Sequence, residues 1–438
     1  MNALLRALYG GAGLLTRAAV AIGVPGDGKL SRTINARRNL QARYAAFGHT
    51  LRIPAHPLAW FHAPSVGEGL QALPVIARLR AAHPTLQLAY THFSPSAATF
   101  AQRTGADFAD YLPFDTAGDM RAALDALQPS VLVFSKLDVW PVLVREARRR
   151  GVPVGMISAT LAESSGRRRG VAAAITRDAY AALSAVGAID ADDAARLVSI
   201  GVRESVIRVT GDTRYDQVWA RAQAAVKAAP WLARFREPLR VTVVAGSTWP
   251  ADDSVLLPAW RELAARMPGA LRLVIAPHEP TPSHLAAIEA WARESGLRCC
   301  RLDADGDAQA DVVLVDRVGV LGELYALADA AYVGGGFHAA GLHSVLEPAA
   351  FGAPVLFGPR HGASRDARLL LADRAAASVT TSAQLVTILG GWLAGDDDAR
   401  WAAGERARQT VQRGLGAADA STALVLELMT RAGTMTRA

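Results

Sequence analysis

The residues best suited to chemistry concentrate in YVGGGFHAAGLHSVLEPAAFGAPVLFGP, residues 332–359. An apolar run breaks into Gly334, Gly335 and Gly336. Gly341-Leu342-His343-Ser344 follows, then Glu347-Pro348, then a second apolar run, 354–357, closed by Gly358-Pro359. A strand that ends in glycines before a helix lets a ligand approach the backbone, and the start of the helix offers free N–H groups and partial positive charge to a phosphate. Glu347, expected just inside that helix and four residues after His343 on the same face, is placed to accept from ribose hydroxyls. This is the outline of a nucleotide-sugar pocket; the alternative is a tight connection between strand and helix that binds nothing.

Other strand ends carry similar side chains. HAPSVGEG, 62–69, has Ser65, Gly67 and Gly69 for a tight turn, with Glu68 at the mouth of the next helix. That carboxylate could act as general base on a hydroxyl nucleophile, or merely complement the helix dipole. THFSPSAATF, 91–100, brings Ser94 and Ser96, for a phosphate or sugar or for capping the following helix. FSKLDVWP, 134–141, puts Lys136 and Asp138 directly after a strand, as functional charges or as a structural ion pair with each other. AGSTWPADD, 245–253, offers Gly246, Ser247 and Thr248 to an anion, and IAPHEP, 275–280, offers His278 and Glu279. VDRVGVLGELYALAD, 315–329, turns at Gly319, where backbone N–H groups could meet a base or phosphate. The acidic loop DADGDAQAD, 303–311, lacks a second cluster of ligands and reads as solvated loop rather than metal site. No motif requires a metal.

The elements that must position these residues alternate in type. Strands are expected at 58–62, 86–91, 131–134, 154–157 and 182–188, separated by helices such as 69–83 and 117–127, and the first set closes around 207–216. A second set has strands at 240–245, 272–276, 312–315, 330–334 and 355–357, with helices at 252–267, 282–294 and 320–328. Such alternation is the signature of parallel sheets covered on both faces. The expected architecture is therefore α/β, with two Rossmann-like doubly wound domains facing a cleft. The first spans 1–216; 217–238, helical and broken by Pro230, reads as a linker; the second spans 239–412; and 413–438 forms a helix that could cross back.

With 438 residues, half of them hydrophobic and one fifth charged, the chain has material for two cores. Its two cysteines, Cys299 and Cys300, are adjacent, which excludes a disulfide framework and points to a reducing compartment. Residues 1–50 hold seven basic side chains (Arg6, Arg17, Lys29, Arg32, Arg37, Arg38 and Arg43) against Asp27 alone, and so carry +6 of the net +7. The nearly neutral remainder argues against a nucleic-acid surface and for one basic edge. Arg6 and Arg17 leave too short an apolar run between them to span a bilayer. They fall on nearly the same helical face, with Leu4, Leu8, Leu15, Ala19 and Ile22 mostly on the other. That pattern fits a helix lying in a membrane interface beside anionic lipid, or one packed on the body of the protein.

Taken in order, HAPSVGE, the Ser/Thr-rich turn, KxDxWP, SATLAESS (158–165), VTGDTRYD, AGSTW, APHEP, the Gly319 turn and GGGF…GLHSVLEPAAFGAPVLFGP resemble the 3-deoxy-D-manno-octulosonic acid (Kdo) transferases of lipopolysaccharide assembly. The resemblance covers roughly residues 30–425. It implies a two-domain GT-B glycosyltransferase with CMP-Kdo as donor substrate and no cofactor. Kdo would pass with inversion to the lipid A precursor (lipid IVA), at the cytoplasmic face of the inner membrane, the enzyme being peripheral. It also implies that Glu68 is the catalytic base, with Asp138 and Lys136 beside it. Ser247, Thr248, His278, Gly319, Gly335, Gly336, His343, Ser344 and Glu347 would meet the donor, and Ser65, Gly67, Ser94 and Ser96 the acceptor. Three departures stand out. Ser135-Lys136-Leu137-Asp138-Val139-Trp140-Pro141 replaces the family's Glu-Thr-Glu-Leu-Trp-Pro, Ser344 stands where Asn is usual, and Ala276-Pro277-His278-Glu279 lacks the Arg of Pro-Arg-His-Pro. The alternatives are another GT-B enzyme (a UDP-sugar transferase or sugar-nucleotide epimerase) and a non-catalytic adaptor on a lipid surface.

Overall fold

A computed structural model of the chain describes residues 3–26, 28–163, 165–228, 230–236, 240–394, 397–431 and 433. Of the features singled out above, Asp27, Ser164, residues 229 and 237–238 of the expected linker, residues 432 and 434–438 of the C-terminal segment, and the side chains of Leu4, Arg6 and Lys29 lie outside the described residues. The chain divides into two compact units, one formed by residues 1–217 and 415–438 and the other by 218–414. The division falls inside one continuous helix, Thr213–Ala228.

The first unit is built on β1 (Leu58–His62), β2 (Gln87–His92), β3 (Phe108–Tyr111), β4 (Val131–Ser135), β5 (Val154–Ala159), β6 (Ala185–Ala188) and β7 (Ile207–Val209). They form one sheet in the order β3-β2-β1-β4-β5-β6-β7, and every pairing is parallel. Side chains alternate between two cores, as the two-residue period of a strand requires. Leu58, Trp60, Leu132 and Phe134 enter one core, and Ala59, Phe61, Val131 and Val133 enter the other. The second unit repeats the plan with β8 (Val241–Thr248), β9 (Leu271–Pro277), β10 (Cys299–Arg301), β11 (Val312–Leu314), β12 (Ala330–Val333), β13 (Val355–Phe357) and β14 (Ala376–Ser378). Their order is β10-β11-β9-β8-β12-β13-β14, again parallel throughout. In each sheet the chain reverses direction of travel beside its first strand, β1 or β8. That is the switch point at which ligands of doubly wound folds collect, outside the strands' carboxyl ends. Two such units in one chain make the GT-B architecture.

The strands the sequence pattern overlooked, β3, β7, β10 and β14, are short and lie on sheet edges, where burial on both faces is not needed and the apolar run is lost. Two elements are also redrawn. The expected strand 182–188 shrinks to Ala185–Ala188, because the helix Gly170–Ala181 runs up to it. The expected helix 320–328 is one α-turn, Leu321–Leu324, followed by a 3₁₀ turn, Tyr325–Leu327. The segment expected as a linker packs into the second unit instead. Leu232 and Phe235 join its core, and the buried Arg272 guanidinium donates to the Phe235 carbonyl at 2.6 Å and the Ala308 carbonyl at 2.8 Å.

The C-terminal helix, Ala417–Arg431, covers one face of the first sheet, burying Leu424, Val425, Leu428 and Met429 against Phe61, Val133 and Ile157. Burial of such side chains contributes about 1.5–3 kcal/mol each. Gly155 on β5 makes room for it: a Cβ there would stand 2.7 Å from Leu428 Cδ1. Buried Asp216 caps the start of this helix, accepting from the Gly416 N–H at 3.1 Å and the Ala418 N–H at 3.0 Å. Asp216→Ala should therefore cost about 1–3 kcal/mol, through two N–H groups left without their acceptor, and lower the urea midpoint of the intact chain. An unchanged midpoint would remove the cap from the account.

Candidate active site

The N-terminal helix, Ala3–Ile22, has one face against the first unit. The Tyr9 hydroxyl donates to Asp115 at 2.9 Å, and a Cβ on Gly13 would meet Thr116 Cγ2 at 2.9 Å. Arg17 lies toward Asp119, 3.9 Å away, so its charge faces protein rather than an opposite polar side. Leu8, Leu15 and Ile22, seven residues apart, stay 61%, 74% and 80% exposed. The helix is thus both packed on the body and apolar outward.

Glu68 sits in the first turn of the helix Val66–Ala82, directly after β1. The Ser65 hydroxyl donates to Glu68 Oε2, and Lys136 Nζ stands 3.5 Å from Oε1. The Ser135 hydroxyl donates to the Glu68 carbonyl at 2.7 Å, tying the loop after β4 to the loop after β1. Lys136 holds a left-handed backbone, φ 73°. Such a conformation costs a non-glycine residue free energy and persists where surrounding structure enforces it. Lys136 and Asp138 do not pair with each other as the sequence allowed; Asp138 accepts from the Arg167 guanidinium instead. The Glu68 side chain stays 18% exposed, enough to meet a solvent-borne hydroxyl.

Behind this carboxylate a buried network fixes the strand ends. The Trp140 indole donates to His62 Nε2 at 2.9 Å. An indole is a donor only, so the His62 proton is on Nδ1, which donates to Thr91 Oγ1 at 3.0 Å. The Ser94 and Ser96 hydroxyls share a hydrogen bond of 2.8 Å and neither caps a helix. A Cβ on Gly67 would meet only Ser65 Oγ, at an ordinary 3.8 Å, whereas Gly69 is forced by packing, since a Cβ there would lie 2.4 Å from the Tyr90 hydroxyl and Phe100.

In the second unit Ser247 adopts a left-handed backbone, φ 56°, and Gly334 lies against it; a Cβ at Gly334 would be 2.2 Å from the Ser247 carbonyl oxygen. Thr248 Oγ1 is buried without a hydrogen-bond partner among the described residues. The glycine run departs from expectation. The fully buried Asp252 carboxylate accepts from the N–H groups of Trp249 at 3.0 Å and Gly335 at 2.8 Å. The Gly335 N–H is thus spent inside the protein. Gly335 and Gly336 are required because a Cβ would stand 2.2 Å from the Gly341 oxygen or 2.4 Å from the Gly358 nitrogen. Close backbone packing, rather than ligand approach, accounts for them.

His343 precedes the short helix Leu346–Ala350, so it and Glu347 do not share a helical face. It belongs to an aromatic stack the sequence did not reveal. The Trp249 ring lies 4.0 Å from that of His338 and 4.8 Å from that of His278, and His278 is 4.4 Å from His343. The Trp249 indole donates to His343 Nε2 at 3.2 Å. The only signals were a Trp beside Ser247-Thr248 and a His after the glycines. Ser344 is exposed, and Gly319, φ 96°, faces open space. Burial raises the Glu347 carboxyl above its usual range, opposed by Arg221, whose Nη1 is 3.9 Å away. Trp249 and Glu279 also line a cavity of about 450 Å³ that extends to His284, beside Asp253 at 2.5 Å.

Among the described residues no group of three or more His, Cys, Asp or Glu could hold a metal ion. The acidic loop is not merely solvated: Asp303 and Asp307 pair with Arg234, and Asp311 with Arg240.

Comparison with known proteins bears on the family and the fold. The model of the family described as 3-deoxy-D-manno-octulosonic-acid transferase (kdotransferase) matches residues 38–217. The 3-deoxy-D-manno-octulosonic acid transferase of Bordetella pertussis is 31% identical over 339 residues, 74% of this chain and 77% of the relative. That of Chlamydophila psittaci is 30% identical over 322 residues, 69% of this chain and 70% of the relative. Among solved structures, UDP-GlcNAc 2-epimerase from Neisseria meningitidis bound to UDP-GlcNAc aligns with a TM-score of 0.61 at 15% identity, covering 86% of this chain and 100% of that one. At such identity the likeness shows the fold alone.

Burial pushes His62 down to about 3 and His343 down to about 4, from 6.5, so both stay neutral in the folded state while the unfolded chain protonates first. Their contribution to stability is fully present above pH 6.5 and is lost as pH falls from there through about 4 for His343 and about 3 for His62. His343→Gln, which can still accept from Trp249 without titrating, should flatten part of the fall in unfolding midpoint across that window. An identical slope would assign the pH dependence to other groups.

Proposed function

The chain belongs to the 3-deoxy-D-manno-octulosonic acid transferase family, and we propose that it moves Kdo from CMP-Kdo to a hydroxyl of the lipid A precursor by a single inverting displacement. Kdo transfer in lipopolysaccharide biosynthesis, and hence glycosyltransferase activity, follows from the family. The observation that carries the finer reading is the Glu68 carboxylate, partly exposed in the first helical turn after β1 and flanked by the Ser65 hydroxyl and the Lys136 ammonium. Glu68 takes the proton of the acceptor hydroxyl as its oxygen attacks the anomeric carbon, and CMP departs. Lys136 and Ser65 orient the carboxylate, and Ser94 and Ser96 offer hydroxyls to the acceptor.

The second unit receives the leaving group. Glu347 accepts from ribose hydroxyls. Ser247, Thr248, His278 and the Gly319 turn stabilise charge that grows on the departing phosphate, which lowers the barrier only so far as these contacts tighten in the transition state. CMP-Kdo is a substrate, and the reading invokes no cofactor and no metal. Glu68→Gln should reduce transfer by about 10²- to 10⁴-fold while the thermal shift given by CMP is unchanged. Retained turnover would exclude Glu68 as the base. A shift with UDP and none with CMP would replace the donor assignment with that of another GT-B enzyme.

Membrane association rests on the outward stripe Leu8, Leu15 and Ile22 and on the exposed Arg32 and Arg38. Elsewhere on the expected basic edge the charges turn to protein, since Arg37 is buried and donates to the Leu112 and Phe93 carbonyls and Arg43 pairs with Asp110. Among the described residues no helix is long and apolar enough to cross a membrane. The protein binds the cytoplasmic face of the inner membrane peripherally in this reading. Replacing the three residues with Ser should abolish flotation with vesicles containing anionic lipid and leave the thermal midpoint of the body unchanged. Undiminished flotation would place the contact elsewhere.

A further inference from the structure

The helix Thr213–Ala228 sends Arg221 over the carboxyl edge of the second sheet. Its guanidinium lies on Gly322: a Cβ at that glycine would stand 2.3 Å from Cζ, 2.5 Å from Nη2 and 2.6 Å from Nε. Such near-equal distances mean that the flat face of the group covers the glycine and its N–H edges point sideways. The neighbouring Leu321 and Tyr325 contact the end of β8, where a Cβ on Gly246 would be 2.9 Å from Leu321 and 2.2 Å from the Tyr325 hydroxyl. Ser247 and Thr248 follow directly, Gly319 is three residues before Gly322, and β8 with β12 marks the switch point of this sheet.

Among the described residues Arg221 makes no hydrogen bond, and the carboxylate at ion-pair range is Glu347, whose oxygen is 3.9 Å away. That separation is too long for a hydrogen bond, and the Arg221 side chain remains 38% exposed. An ion pair of this kind is worth little as a structural tie. The group is therefore held in place with its donors unspent, beside a carboxylate placed for a ribose. A planar fork of N–H donors matches the oxygens of a phosphate or carboxylate better than any other side chain does.

We propose that Arg221 binds an anionic oxygen group of the donor, the phosphate or the sugar carboxylate, and that Gly322 is glycine so that this guanidinium can lie against the backbone. The role rests on the reading of the second unit as the donor-binding one. Arg221 supplies there the cation that Ala276-Pro277-His278-Glu279, at the end of β9, does not.

Binding of CMP, CMP-Kdo and cytidine to the full chain would be measured by calorimetry for wild type, Arg221→Met, Arg221→Lys and Gly322→Ala. Arg221→Met should weaken CMP-Kdo binding by about 10- to 100-fold, with Arg221→Lys between it and wild type. Gly322→Ala, which displaces the guanidinium without removing its charge, should reproduce the loss at an unchanged melting temperature. Cytidine, which lacks both anions, should bind all four proteins alike. A loss shared by CMP identifies the phosphate as the partner, and a loss confined to CMP-Kdo identifies the carboxylate. Equal affinity of wild type and Arg221→Met for both anionic ligands overturns the assignment of Arg221, as does a matching loss for cytidine. Wild-type protein that binds neither CMP nor CMP-Kdo overturns the donor reading itself.

Discussion

An ammonium and a carboxylate 3.5 Å apart, beyond the carboxyl ends of the central strands β1 and β4, set the terms for the rest of the structure. Lys136 reaches Glu68 only because the chain leaves β4 with a left-handed residue and because the Ser135 hydroxyl pins that turn to the Glu68 backbone. A carboxylate at the first turn of a helix is already favoured by the helix dipole. Adding an ammonium and a hydroxyl fixes its direction while leaving one side to solvent. The surrounding sheet, with Trp60 and Phe61 on opposite faces of β1, provides a base rigid enough to hold that geometry.

Both units stiffen their strand ends with the same pairing, an indole donating to a neutral histidine: Trp140 to His62 in the first, Trp249 to His343 in the second. Burial keeps both rings uncharged, so each remains an acceptor. In the second unit the stack extends through His278 and His338, and the Asp252 carboxylate holds the glycine loop from beneath. Ligand-facing loops gain precision from such buried polar contacts, because an unmet partner in a low-dielectric interior is costly.

Much of this was legible in the sequence because parallel strands buried on both faces read as continuous apolar runs and end in short polar turns. Those turns delivered Glu68, Lys136, Ser247, His278 and Glu347 to two sheet edges. Partnerships across long sequence separations were not legible. Lys136 could have paired with Asp138 two residues away, and only the fold shows that it turns to Glu68 while Arg167 takes Asp138. The glycines of 334–336 looked like a phosphate cradle, since sequence cannot distinguish a glycine needed by a ligand from one needed by a neighbouring backbone. Arg221 lay in a segment that resembled a linker, and nothing local hinted that Gly322 would sit beneath it.

The central claim is a single displacement driven by one carboxylate on the acceptor side, with no covalent sugar–enzyme stage. A single displacement of that kind inverts the anomeric carbon. The anomeric configuration of the Kdo residue in the product, determined by NMR after transfer from CMP-Kdo, should be opposite to that of the donor. Retention of configuration would contradict the account.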